Sequence, residues 1–312
     1  MIDRVGTNAQ TQLYLAQVMK AGNALDQSEA QVSSGKVSAT YGGIGNRTAV
    51  LEAARSAANR SSAYQANIQL ALDQSNLQDT QLTSLSNLAN DLRQALTKAL
   101  ADGDASTLMT QAGSIYQQVT QILNSKDANG NYLYGGDRND VPPVTPATLA
   151  DLAALPSAAN AFANGTVAAT VRVGDGQSVQ VGMLASDIGT SILSTLKDIA
   201  DFNNGASGPF GSTISAAQSG FLTTEIGTAA NAATDINNAA ASNGYVNKQL
   251  QDASDQQQSL NTLYTGFVSD IEDVDMGQAV EKLNQNQIAL QAALQVTSKL
   301  NQLSLLNYLP AS

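Results

Sequence analysis

Apolar residues recur along this chain at helical spacing, in long runs separated by brief clusters of Gly and Pro. The first run predicts a helix over 8–34, where Val18, Leu25 and Val32 fall on one heptad position with no Pro between them. Gly35, Gly42, Gly43 and Gly45 then break the pattern, so residues 33–46 are expected to form a loop of small residues. A second run predicts a helix over 48–100. Leu85, Leu88, Leu92, Leu96 and Leu100 make its stripe, continued backwards by Tyr64, Ile68 and Leu72. At the helical rise this segment is a rod of roughly 80 Å, which needs other helices along its length. Gly103 ends it. A shorter helix is expected over 106–124, with Leu108, Ile115, Val119 and Ile122 at helical spacing.

The middle of the chain changes character. Asn129-Gly130 is a hairpin-type turn beside the β-prone Tyr132, Leu133 and Tyr134, and Pro142, Pro143 and Pro146 mark a boundary. Residues 166–173 alternate, Gly174-Asp175-Gly176 turns, and 178–183 return, which predicts a β-hairpin. A helix over 188–202 and a Gly-rich stretch over 203–211 close this insert. Helical spacing resumes near Leu222 and runs through Leu250, Leu260, Leu263, Phe267 and Ile271. A short break over 270–277 precedes a last helix over 278–307, in which Leu283, Leu290 and Leu294 form a stripe that Leu300, Leu303 and Leu306 extend.

The expected fold is therefore mainly α: a long antiparallel helical coiled-coil rod formed by both chain ends, with a small β-containing inserted domain. Its segments are an N-terminal assembly helix and loop (1–46), the N-terminal part of the rod with a hairpin (47–141), the insert (142–220), the C-terminal part of the rod (221–274) and a C-terminal assembly helix (275–312). Residues 284–302 carry almost no charge apart from Lys299, and Gln and Asn fill most of their polar positions. A solvated helix usually shows Lys and Glu on its outer face. The stripes Val18, Leu25, Val32 and Leu283, Leu290, Leu294, Leu300, Leu303, Leu306 are thus expected to contact other subunits.

Composition narrows the chemistry. With no His and no Cys, the Ser-His-Asp and Cys-His hydrolases, thiolate chemistry and structural zinc are excluded. A net charge of −11 argues against nucleic acid, and no segment approaches the length of a membrane span. Aromatic content is only 4% with no Trp, so Ala and Leu carry burial, which suits helix-on-helix seams. Asp127, Asn129 and Asn131 have the opening spacing of a calcium loop. Tyr132 stands where Gly is required and Arg138 where Glu belongs, so these residues read as a turn and no metal or cofactor is expected. Asp270, Glu272, Asp273 and Asp275 are expected to favour the start of the last helix, with Asp275 near its cap. An enzyme hidden in the insert would rest on Asp151, Asp175, Asp187, Asp198 and Asp201, which have few basic or aromatic companions; a non-enzymatic protein is expected. Residues 1–20 hold Asp3 and Arg4 but no basic leader and no apolar run of signal-peptide length.

Asn8 with the helix after it, Gln31 to Lys36 (QVSSGK) and Val274 to Leu306 carry a resemblance to the flagellin superfamily of bacterial flagellar axial proteins. The last segment, VDMGQAVEKLNQNQIALQAALQVTSKLNQLSLL, looks like the superfamily's C-terminal signature. Within it, Asn131 to Pro143 (NYLYGGDRNDVPP) and the end at Ser304 to Leu309 are similar to the hook-filament junction branch, the filament flagellins being the alternative. The Asp-Asp-Pro motif that commonly follows Ser-Gly-Lys is absent, and YGGIGN stands at Tyr41 to Asn46. The resemblance implies a structural subunit exported through the flagellar type III channel without a cleaved signal. It would assemble outside the cell by helix-helix polymerisation. The implied partners are copies of itself, other axial proteins (hook-associated protein and flagellin) and an export chaperone. A secreted helical adhesin or effector is the rival of a different class.

Overall fold

The computed structural model describes residues 2–127 and 129–306. In chain order its elements are helices α1 (Ile2–Ser34), α2 (Tyr41–Ile44), α3 (Thr48–Asp102), α4 (Leu108–Leu123) and α5 (Leu149–Ala153), strands β1 (Thr170–Gly174) and β2 (Gln177–Gln180), and helices α6 (Ala185–Asn204), α7 (Ala216–Glu272) and α8 (Met276–Leu306). The fold is mainly α with a small antiparallel two-stranded sheet, as the periodicity predicts. Two compact units divide the chain, one of residues 1–60 with 259–312 and one of residues 61–258; α3 and α7 each contribute to both.

In the 61–258 unit α3 and α7 run antiparallel, because their cross-links pair rising with falling residue numbers. Ser61 Oγ donates to the Gln257 carbonyl at 2.7 Å, Asn243 Nδ2 to the Ser75 carbonyl at 2.8 Å, and Ser86 Oγ to Asn237 Oδ1 at 2.8 Å. The leucine stripe of α3 is the spine of the core, with Leu85, Leu92 and Leu96 fully buried. Against it pack Ala112, Tyr116 and Val119 of α4, Ile192, Leu196 and Ile199 of α6, and Leu222, Ala229 and Ile236 of α7. The buried positions of α4 recur every three or four residues, so one face is apolar and the other solvated. Gly103 lies at φ +67, where only glycine rests without cost, and there the chain leaves α3.

The inserted segment adds one helix that periodicity did not show. α5 is only five residues long and is started by a reciprocal cap, in which the Thr148 side chain accepts from the Asp151 backbone N–H and the Asp151 carboxylate accepts from that of Thr148. The run Tyr132 to Tyr134 makes a single isolated bridge, Lys126 to Tyr132, in place of a strand. Asp127 Oδ1 accepts from the backbone N–H groups of Asn129 and Asn131 at 2.8 and 2.9 Å, so its carboxylate is spent on the turn. The hairpin of β1 and β2 forms with Gly176 at φ +73 in its turn, shorter than the alternation predicts. Val173 and Val181 lay it on Ile68 and Ala71 of α3 and Leu250 of α7, a second and smaller core. Gln257 Nε2 fastens it by donating to the Val173 carbonyl at 2.9 Å.

One buried group works against this unit at neutral pH. Glu225 of α7 is buried, and its carboxylate accepts from Thr228 Oγ1 at 2.6 Å. Burial pushes its carboxyl upward, the Thr228 hydroxyl opposes this, and the Asp198 charge adds to it. A carboxyl raised on folding costs stability where it must ionise, and the cost fades as pH falls through the folded value. Glu225→Gln keeps the acceptor and removes the charge. It is expected to raise the stability of this unit at pH 7 by on the order of 1 kcal/mol. Urea melts at pH 7 and pH 5 check this, since the gain must shrink at the lower pH.

Candidate assembly interface

The unit of residues 1–60 and 259–312 is built differently. Among its described residues only Leu51, Ala54, Ala58, Ile271 and Ala279 are buried apolar side chains, so it has almost no interior of its own. Its terminal helices pack on one another as an antiparallel pair, and Asn286 Nδ2 of α8 donates to the Ala24 carbonyl at 3.0 Å and to Ser28 Oγ at 2.7 Å of α1.

Val18, Leu25 and Val32 lie half-buried on α1, in step with Ala21 and Ser28 at alternating three- and four-residue spacing. On α8 Leu283 and Leu290 are likewise half-buried, in step with Asn286 and Ala293. Part of the stripe expected to face other copies is therefore half-covered within the chain by the other terminal helix. Leu294 falls outside this seam and is exposed. The side chains of Leu300, Leu303 and Leu306 lie outside the described residues.

The larger uncovered apolar surface sits where the stripes do not. Leu13, Leu15 and Met19 of α1 and Val280, Ile288 and Val296 of α8 are all exposed, at positions off the seam. Both helices thus carry apolar residues around their circumference, a distribution that belongs to helices enclosed by neighbours. Stripe counting passes over these residues. The signal that could have found them is large apolar side chains off the stripe in a helix poor in charge. Charge is divided the same way. The unit of 1–60 and 259–312 holds eight Lys and Arg against nine Asp and Glu, while residues 61–258 hold seven against seventeen, giving net charges of −1 and −10. The first can meet copies of itself with little repulsion, and the second resists close association.

The acidic residues around the end of α7 and the start of α8 take structural roles. Asp275 Oδ1 accepts from the N–H groups of Gly277 and Gln278 at 2.9 and 3.2 Å and caps α8, as its position predicts. Glu272 is buried and ion-paired to Lys36 and Arg55. No group of three metal-ligating side chains occurs among the described residues, and no described helix is long and apolar enough to cross a membrane.

Residues 226–309 match the family of the bacterial flagellin C-terminal helical region, which takes in most of α7 and all of α8. The C-terminal part of the chain is therefore similar to the flagellin C-terminal helical region. Solved structures share this fold. One is of a protein described as flagellar hook-associated from Vibrio parahaemolyticus, with a TM-score of 0.58 and 16% identity over 72% of this chain and 96% of that one. Another is FlgL of Bacillus cereus, with a TM-score of 0.53 and 15% identity over 70% of this chain and 98% of that one. No curated protein matches the sequence.

Proposed function

We propose that this protein is a non-enzymatic structural subunit of the bacterial flagellum, standing between hook and filament. In this reading α1 and α8 polymerise with the same helices of neighbouring copies and of other axial proteins. The 61–258 unit, which carries most of the chain's negative charge, supplies none of these contacts in this reading. The observation that carries the reading is the terminal helix pair, which is nearly neutral, lacks an interior and exposes Leu13, Leu15, Met19, Ile288 and Leu294. Buried against other helices, each such side chain contributes roughly 1.5–3 kcal/mol. Repeated around a ring of subunits, that sum holds an assembly together.

Export through the flagellar type III channel to the outside of the cell, with a chaperone guarding the apolar ends beforehand, follows from the same reading. A chain whose terminal helices bury little surface alone loses little by staying unfolded until it docks. Filament flagellin is the second reading, favoured by the match of residues 226–309 to the flagellin C-terminal region. Deleting the gene separates the two. A junction subunit leaves filament protein made but shed into the medium as detached polymer, and a filament subunit leaves no filament protein at all. Attached filaments of normal length in the deletion strain overturn both.

A further inference from the structure

Polar side chains interrupt the core of the 61–258 unit at one level. Over residues 68–85 the buried positions of α3 are Ile68, Ala71, Ser75, Gln78, Leu82 and Leu85, three or four apart. Ser75 and Gln78, the two in the middle, are polar and have no exposed surface. α7 repeats the interruption from its own side. Its buried positions over residues 236–250 are Ile236, Asn243 and Leu250, seven apart, and the central one is an amide. Asn243 and Ser75 satisfy one another, Ser75 Oγ donating to Asn243 Oδ1 at 3.1 Å and Asn243 Nδ2 to the Ser75 carbonyl. Asn247 Nδ2 continues the layer outward to Asn76 Oδ1 at 2.9 Å. Gln78 does not share in this, for neither its Nε2 nor its Oε1 meets a hydrogen-bond partner among the described residues.

The layer falls between the two apolar cores. The larger takes in Leu82 and Ile236 on one side of it, and the smaller joins Ile68, Ala71, Val173, Val181 and Leu250 on the other. Beyond the layer, the parts around the smaller core are tied to each other. The Tyr64 hydroxyl holds the hairpin turn by donating to Asp175 Oδ1 at 2.8 Å, Gln257 binds the Val173 carbonyl of β1, and Ser61 binds Gln257.

We propose that the layer of Ser75, Gln78 and Asn243 is a boundary of cooperativity: the hairpin, residues 61–74 of α3 and residues 246–258 of α7 open together as one block while the larger core stays closed. Apolar side chains cohere because each is buried by the next, and a polar layer breaks that dependence. Ser75 and Asn243 exchange their mutual hydrogen bonds for bonds to water when the helices part, at little net cost. The Gln78 amide gains on reaching water, since it leaves a site where it bonds to nothing. Opening as far as the layer therefore sacrifices only the smaller core. This gives the unit a rigid part and a part that can change shape, and it concerns the single chain whatever that chain assembles with.

Hydrogen exchange on the full-length chain tests it. In the parent, the slowest amides of residues 61–74, of β1 and β2 and of residues 246–258 are expected to exchange at one common rate, about tenfold or more faster than those of α6 and of α3 from Leu82 to Leu96. Ile68→Ala weakens the smaller core alone and should speed all three segments together while leaving α6 unchanged. Gln78→Leu puts an apolar side chain of similar volume in the layer, joins the two cores and should narrow the gap between the block and α6. Equal rates in the block and in α6 of the parent overturn the boundary. So does acceleration of α6 by Ile68→Ala to the same degree as the block, and so does a gap that Gln78→Leu leaves as wide as before.

Discussion

Subunits carrying Ile288→Asp and Leu294→Asp are expected to fold and melt like the parent chain yet fail to enter an assembly. The two side chains are 67% and 51% exposed in the single chain, so a carboxylate at either position stays in water and costs the monomer little. Enclosed by neighbouring helices, each charge loses that water and costs several kcal/mol. Two such charges lower subunit affinity by a thousandfold or more. Leu290→Asp is the informative contrast. Leu290 lies half-buried in the α1–α8 seam, so its substitution should loosen the terminal pair in the monomer as well. Sedimentation and electron microscopy of variant chains mixed with parent subunits give the readout. Incorporation of the Ile288 and Leu294 variants at the parental level would show that this surface faces solvent in the assembly, and the proposed function would lose its support.

Which surface is covered was only half legible in the sequence. Spacing finds a stripe because burial is periodic, and Val18, Leu25, Val32, Leu283 and Leu290 do lie along a seam. Periodicity cannot say what covers a stripe, and here the other terminal helix of the same chain half-covers part of it. The ends of α3 and α4 were legible because Gly103 and the turn at Asn129-Gly130 break the helical pattern sharply. α5 escaped because five residues are too few for a period, and its evidence is the cap formed by Thr148 and Asp151. Glu272 escaped for another reason. Its partners Lys36 and Arg55 lie 236 and 217 residues away, and only the antiparallel course of the chain brings them together.

Within the 61–258 unit the largest single effect is expected from Leu92→Ala. Leu92 has no exposed surface and stands in the middle of the α3 stripe, enclosed by the core that α4, α6 and α7 complete. Truncation removes its transfer free energy and leaves a cavity that long packed helices close poorly, a loss of about 3 kcal/mol. Leu70→Ala on the same helix is the control, since that side chain is 70% exposed and its removal is expected to cost under about 0.5 kcal/mol. Urea unfolding followed by circular dichroism should show a lower midpoint for Leu92→Ala with little change in slope, and a nearly unchanged midpoint for Leu70→Ala. Both residues are leucines in one helix, with the same propensity for it. A difference between them isolates burial from helix formation. Equal losses at the two sites would mean that the stripe of α3 does not hold this core together.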